Sequence, residues 1–450
     1  MVLVFGPILT DEVVLMPGRA ARPNPQIGMH FIQQLMGLGP EDRRRDSRGP
    51  NGLALRVIDD DAGFLALKEQ WNTLQQAEAE ELPERSFLWA LHAWETIARP
   101  RGHKLHIIVG YSEGRIVLVM PLVVQRQWPI RIGRWLAPEF GECSDVLVKG
   151  CGRSDRWVAS AWNLVASSFH LLRIPAVCLD ASIWPHVEAT RSLQKSCTRA
   201  PYVDCRQWPD WKSFLGSRSK AFVTDFKRSG KRLHKAGEAR IIDIDQADQM
   251  RATLDWIVQE KTKRFAHTIY GAQILPSKIE FCRRICTDAL ASGTLLIREL
   301  WLGDERLAAL WAIRSGRRLH NLTFAWNQNR KKYGAGRLIV TDSVRWAIEH
   351  KLRTYDLGLG KDEYKYRYTD KDETVATDVV VAFGPFDRFL SWAVVGARRL
   401  RRALHGRFRA KFSPKQTHTA APRSALLRRL DAAERSQQRQ VVDDLETAAD

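Results

Sequence analysis

The plainest chemistry in this sequence lies in Asn327-Gln328-Asn329-Arg330-Lys331-Lys332-Tyr333-Gly334-Ala335-Gly336. Three consecutive cations run into two glycines. A helical apolar period opens directly behind them, at Leu338, Ile339, Val344, Trp346, Ala347 and Ile348. Glycine lets a backbone approach a ligand closely, and the first turn of a helix offers unpaired N–H groups at the positive end of its dipole. This is the chemistry of anion binding, and a pyrophosphate fits it, with Arg330, Lys331 and Lys332 adding charge. No Gly-Lys-Ser/Thr closes the loop, so it is not a Walker phosphate loop. A G-x-G without its third glycine is not a dinucleotide fingerprint either. A glycine loop that merely starts a helix would read the same way.

Lys331 to Gly336 resembles the acyl-CoA pyrophosphate loop of the GNAT acetyltransferases, Gln/Arg-x-x-Gly-x-Gly/Ala, with lysine in place of the first residue. Lysine keeps the charge and lacks the planar fork, so the resemblance implies cradling by the backbone. Downstream, Tyr355-Asp356-Leu357-Gly358, then Gly360, then Tyr364-Lys365 resemble a signature of the CelD/BcsL-type branch, the cellulose-biosynthesis-associated acetyltransferases, distant relatives of the FemABX peptidoglycan transferases. The likeness runs from about Asn51 to Pro385 and is stronger in the second half. It implies an α/β (α+β) fold of tandem GNAT-like units, with mixed central sheets flanked by helices. It also implies acetyl-CoA or another acyl-CoA as co-substrate, without a metal. The implied cofactor-binding set is Leu322, Phe324, Lys331, Lys332, Tyr333, Gly334, Ala335 and Gly336; the strand Leu319–Trp326 would offer backbone amides to the acyl carbonyl.

Acyl transfer from a thioester needs a deprotonated nucleophile, N–H donors at the carbonyl oxygen, and a proton for the leaving thiolate. Asp356 is the candidate for the first task, directly or through water. Tyr364 is the candidate for the last, with Tyr366 as its substitute. Lys365, beside Asp362 and Glu363, stays charged and is a candidate substrate or phosphate contact. The basic helix Ser217–Gly237 adds Lys227 and Lys231 as candidate substrate contacts. The competing readings are plain ones: Asp356 caps a strand end, the tyrosines pack, and the basic helix presents a solvated face.

These residues need elements to hold them. In the first half the pattern predicts helices over Gly63–Glu80 and, N-capped by Ser86, to Ala98. Strands Leu105–Tyr111 and Ile116–Val124 follow across the turn Ser112-Glu113-Gly114, then a strand at Ile130–Leu136. Helix Trp157–Leu171, strand Ala176–Asp180, helix His186–Lys195 and strand Tyr202–Cys205 complete this half. In the second half, helices are predicted over Phe214–Lys235, interrupted at Gly230, Gln246–Phe265 and Lys278–Ala291. Strands Thr294–Trp301, Leu307–Arg314 and Leu319–Trp326, the loop helix and the strand Thr354–Leu357 follow. Helices, an antiparallel meander, then helix and strand occur twice, which predicts two similar units packed as one body.

The chain of 450 residues has room for two or three domains, and a hydrophobic content of 44% suits a globular protein. The organisation read from it is a leader at 1–50, an N-terminal unit at 51–205, a C-terminal acyl-CoA unit at 206–385, and a basic helical tail at 386–450. A formal charge of +19 attracts polyanions without choosing among them. The tail series Arg398, Arg399, Arg401 and Arg402 suits an anionic membrane surface; nucleic acid is the less favoured partner. Seven scattered cysteines show no zinc spacing, so buried free thiols in a reducing cytoplasm are expected, with the inner membrane surface as the alternative location. The twelve histidines show no H-x-x-x-H metal spacing. The function expected is acyl transfer to an amine or hydroxyl of a sugar, sugar nucleotide or polysaccharide precursor. The alternatives are aminoacyl transfer from charged tRNA to a peptidoglycan precursor, and a non-catalytic basic binding protein on a GNAT scaffold.

Overall fold

Four helices begin where a short polar side chain satisfies one of the first free amides. Asp60, Ser86, Asp210 and Ser219 each accept a backbone N–H three residues ahead. The computed structural model describes residues 47–48, 52–77, 82–127, 130–136, 143–190, 192–265 and 275–384. In the first half these form β1 (Ser47–Arg48), β2 (Ala54–Ile58), α1 (Asp61–Ala66), α2 (Lys68–Gln76), α3 (Phe87–Ala93, continued by a π-helical turn), β3 (Lys104–Ser112), β4 (Arg115–Gln127) and β5 (Ile130–Trp135), then β6 (Leu147–Val148), α4 (Ser154–Ser168), β7 (Leu171–Cys178), α5 (Trp184–Ala189) and β8 (Ser192–Asp204). The second half has α6 (Trp211–Ser217), α7 (Lys220–Ala236), β9 (Ala239–Asp243), α8 (Ala247–Phe265), α9 (Pro276–Ala291), β10 (Leu295–Leu302), β11 (Glu305–Ser315), β12 (Arg318–Trp326), α10 (Ala335–Glu349), β13 (Thr354–Asp356) and β14 (Asp372–Ala382).

The fourteen strands among the described residues join one mixed sheet in the order β1-β2-β3-β4-β5-β7-β14-β8-β13-β12-β11-β10-β9, with β6 beside β4. Two pairs, β5 with β7 and β12 with β13, are parallel. The halves are continuous through β8: its outer length pairs with β14, and Tyr202, Val203 and Asp204 pair with β13. Helices cover both faces. One core packs α7 and α10 on the second half through Phe222, Leu338, Ile339 and Tyr355. Another packs α8 and α9 on the opposite face and takes in Trp89, Ala93 and Ile97 from the first half. The Trp89 and Phe281 rings meet edge to face at 5.1 Å there.

Strand β14 has no counterpart in the sequence reading. It is second-half chain that completes the first-half sheet between β7 and β8. Its Val375, Ala376, Val379 and Val381 are buried, as a strand covered on both faces requires. Asp378, at φ 56°, interrupts the apolar run where the register slips between Thr377 and Val380. Elsewhere the differences are local. The helix expected over Phe214–Lys235 breaks at Arg218-Ser219, because Ser219 recaps it, and it runs unbroken through Gly230. The helix expected over His186–Lys195 ends at Ala189, and the strand expected at Tyr202 begins at Ser192.

The expectation of free thiols fails for one pair. Ser144 N–H donates to Ala176 O at 2.7 Å, which brings Cys143 beside the end of β7, where it forms a disulfide with Cys178, Cα–Cα 5.6 Å. The cysteines therefore no longer argue for a reducing compartment. Among the described residues no helix is long and apolar enough to cross a membrane, and no cluster of His, Cys, Asp or Glu could hold a metal. The tail from 386 on, including Arg398 to Arg402, lies outside the described residues, as does the leader apart from Ser47–Arg48.

Candidate active site

The basic loop folds as a 3-10 turn over Gln328–Tyr333 that ends in Gly334, which sits in the left-handed region at φ 66° and caps α10. Gly336 is needed for a different reason than ligand approach. A Cβ there would lie 2.8 Å from the Trp326 indole, so it is the packing of α10 on β12 that excludes a side chain. Helix α7 buttresses the loop. Arg232 donates to the carbonyl of Lys332, and Asp225 on the same flank binds Arg367 at 2.8 Å and Arg337 at 3.5 Å. The hydrogen bond from Arg367 is the main reason the Asp225 carboxyl stays below the usual carboxylate range. From α8, the buried Glu260 accepts the Gln328 amide, and the Arg264 guanidinium lies 4.0 Å over the Trp326 ring.

The charged groups of the loop and of α7 divide here. Arg330 is held by Glu305, its Nε 2.9 Å from both carboxylate oxygens, so its charge is spent within the protein. Lys331 and Lys332 remain exposed beside the loop. Lys227 and Lys231 also stand exposed, opposite the buried Phe222, Ser229 and Leu233 of α7; the α7 side chains that reach the loop are Asp225, Ser229 and Arg232. Tyr333 and Ala335 are buried in the core beneath the loop.

Beside the loop, the sheet opens. Strand β13 pairs with β12 only from Arg318↔Thr354 to His320↔Asp356. Beyond His320, the β13-facing edge of β12 has no strand partner among the described residues. On its other edge β12 slips register against β11: Trp311 pairs with Thr323 and Ala312 with Asn321, leaving Leu322 as the extra residue. Leu322 is thus released from the ladder at the opening, and Phe324 is buried two residues on. Asn321 Oδ1 and Thr323 Oγ1, both buried, have no hydrogen-bond partner within the described protein. Orphaned polar atoms along an opened strand fit a polar ligand lying there, as the pantetheine arm of an acyl-CoA would.

The tyrosines separate in role. The Tyr364 ring packs edge-on against Phe324, centroids 6.0 Å apart, on the face that carries α10. Tyr366 instead donates to Asp372 at 2.7 Å, and burial together with that carboxylate raises its pKa, so it is not a substitute acid. Lys365 is buried at 1% exposure and donates to the carbonyls of Gly358 and Leu359 at 2.6 Å each. It pins the turn after β13 and does not present its ammonium to a ligand.

Asp356 faces the other side of the sheet, into a polar cavity of about 260 Å³ between the two halves. Its Oδ2 lies 2.9 Å from Arg318 Nη2, and its Oδ1 accepts the Gly358 amide at 2.9 Å. Glu84, Arg85, Asp145 and the Cys143–Cys178 pair form the first-half wall. Asp145 holds Arg85 and accepts the Ser182 and Ile183 amides; its burial nonetheless pushes the carboxyl up. His320 also lines this cavity, a residue the sequence reading passed over because a single histidine inside an apolar strand gives no spacing signal.

Residues 220–366 match the family model "Acetyltransferase (GNAT) domain". Among solved structures, the chain is similar to FemX, with TM-score 0.51 and 10% identity over 73% of this chain and 98% of that one. A conserved protein of unknown function from Bacteroides thetaiotaomicron VPI-5482 matches at TM-score 0.48 and 9% identity, over 72% and 99%. A tandem GNAT protein from the clavulanic acid biosynthesis pathway matches at TM-score 0.41 and 11% identity, over 74% and 99%. No curated protein matches the sequence. The chain therefore carries a GNAT acetyltransferase domain over residues 220–366, within a fold shared with FemX, and is an acyltransferase by that domain.

Proposed function

We propose that the protein moves an acetyl or longer acyl group from acyl-CoA to an amine or hydroxyl of a sugar, sugar nucleotide or polysaccharide precursor. The observation that carries this reading is the opened β12–β13 edge. It begins at His320↔Asp356, has the glycine-capped helix N-terminus at one end, and has Asn321 and Thr323 unsatisfied along it. The pyrophosphate would rest on the backbone of Lys331 to Gly336, with Lys331 and Lys332 supplying charge. The thioester carbonyl would meet the amides at Leu322 and Phe324. Tyr364, against Phe324, protonates the leaving thiolate, and the acceptor enters the cavity at Asp356 from the opposite face.

The polar walls of that cavity support a polar acceptor, and the sugar class rests on the CelD/BcsL resemblance. In this reading residues 206–385 carry the acyl-CoA and 51–205 wall the acceptor cavity, with β14 lent to the first sheet. The basic segment after 385 is proposed to hold the enzyme at an anionic membrane surface. Calorimetric titration of the full chain with acetyl-CoA at moderate salt, followed by competition with RNA, tests the reading. Micromolar binding that RNA does not displace supports it. Absent acetyl-CoA binding with tight RNA binding would transfer the assignment to the tRNA-dependent or non-catalytic alternative.

A further inference from the structure

We propose that His320 is the proton acceptor of the transfer and that its Nε2 receives an amine nucleophile; this rests on the acyl-transfer reading above. The ring is 5% exposed, lines the polar cavity, and stands at the last paired position before β12 and β13 part. Its Nδ1 lies 3.7 Å from Asp356 Oδ2. A carboxylate on that side favours the tautomer with the proton on Nδ1, which leaves the Nε2 lone pair bare. Nε2 is buried and has no hydrogen-bond partner within the described protein. A buried polar atom left unmade is costly, and the cavity beside it is where a substrate atom would complete it.

Asp356 is the poorer base of the two. Arg318 and the Gly358 amide already occupy its oxygens, so its role is to orient the ring and to stabilise the imidazolium once formed. Other charges face the ring as well. Glu84 and Arg85 come from the turn Pro83–Arg85, Glu373 from β14, and Asp145 and Asp180 from the first-half wall. Burial pushes the Glu84 and Asp145 carboxyls up toward their neutral acids, which leaves Asp180, Glu373 and Asp356 against the guanidiniums of Arg85 and Arg318. This lining draws an amine more than a hydroxyl, and the amine gives its extra proton to solvent before it attacks. Burial lowers the free ring to about 4, so it is neutral at pH 7.

In the step, the amine nitrogen bonds to the thioester carbon and its proton passes to His320 Nε2. The carbon–sulfur bond breaks and the thiolate takes the Tyr364 proton. The imidazolium then releases its proton through the cavity to water, and the tyrosinate regains one.

The test uses the full chain, acetyl-CoA, D-glucosamine as the probe amine and methyl glucoside as its hydroxyl counterpart. His320→Gln and His320→Asn are expected to keep the acetyl-CoA Kd while turnover on glucosamine falls about 10²-fold, the scale of a lost general base. Imidazole added to His320→Ala should restore part of the rate, and methyl glucoside should be the poorer acceptor. A readout independent of turnover and of variant folding is the ¹⁵N signal of the His320 ring, expected neutral at pH 7 with Nε2 unprotonated. Wild-type turnover in His320→Gln, or a ring protonated on Nε2, overturns the proposal while acetyl-CoA binding still stands. Loss of acetyl-CoA binding by the wild type removes the parent reading instead.

Discussion

His320 and Asp356 are the last residues that β12 and β13 hold in register, and their side chains meet on one face of the sheet with Nδ1 3.7 Å from Oδ2. Arg318, two residues before His320 on the same face, neutralises the carboxylate at 2.9 Å. Asp356→Asn is therefore expected to do two things. Turnover falls by about 10²-fold at constant acetyl-CoA affinity. Stability falls by roughly 2 kcal/mol, because the half-buried Arg318 loses the charge of its nearest carboxylate and keeps Glu373, at 3.9 Å. Single-turnover kinetics and urea unfolding separate the two, and normal turnover in a folded variant would remove Asp356 from the reaction.

Tyr364→Phe keeps the ring contact with Phe324 and loses only the hydroxyl. Turnover should drop by about 10²-fold with fold and acetyl-CoA Kd intact. Tyr366→Phe is the control: it loses a hydrogen bond to Asp372, costs about 1 kcal/mol of stability, and leaves turnover near normal. If the two variants behave in the reverse sense, the acid has been assigned to the wrong tyrosine.

Around the loop, charge and backbone should respond differently. Arg330→Gln breaks the Glu305 pair and should leave acetyl-CoA affinity unchanged, whereas Lys331→Gln with Lys332→Gln should weaken it and flatten its salt dependence. Gly334→Val strains a left-handed residue by about 1–2 kcal/mol and crowds Arg337 and Ser229, and should abolish binding. Gly336→Ala is expected to lower thermal stability as well as binding, since its Cβ meets Trp326 at 2.8 Å. Calorimetry on the folded variants decides among these, and equal losses from Arg330 and the lysines would contradict the division.

Lys365→Met should act on stability and not on substrate affinity. It removes two donated hydrogen bonds that tie down the Gly358–Leu359 turn, a loss of about 3 kcal/mol. Thermal unfolding beside KM for the acceptor gives the answer; a raised KM at unchanged stability would restore Lys365 as a substrate contact.

Stability should also fall on mild acidification. Burial holds both His106 and His320 at about 4, against 6.5 for a free histidine. Below pH 6.5 the unfolded chain takes up protons that the folded rings refuse, so stability falls with pH until the folded rings themselves protonate near 4. Each ring contributes up to roughly 3 kcal/mol over that window. Urea midpoints at pH 7 and pH 5 measure the slope, which His106→Gln should reduce.

The sequence by itself determined what repeats locally. Apolar periodicity placed most helices and the second-half meander, Ser86 marked a helix start, and the glycines after Lys332 marked the turn into α10, because caps, turns and periods are decided by neighbours in the chain. Asp356 and Tyr364 could be singled out by type and position. Their placement on opposite faces of the sheet could not, since it follows from strand alternation and from where β13 ends. Tertiary structure alone decided that β14 inserts between β7 and β8 in the first-half part of the sheet, that Arg330 is held by Glu305 and Lys365 by two carbonyls, and that Cys143 meets Cys178. Those contacts join residues distant in sequence, and no local pattern records them. His320 belongs with them: one histidine in an apolar strand carries no signal until a neighbouring strand brings a carboxylate to one nitrogen and leaves the other buried without a hydrogen-bond partner within the described protein, in a residue that lines a cavity.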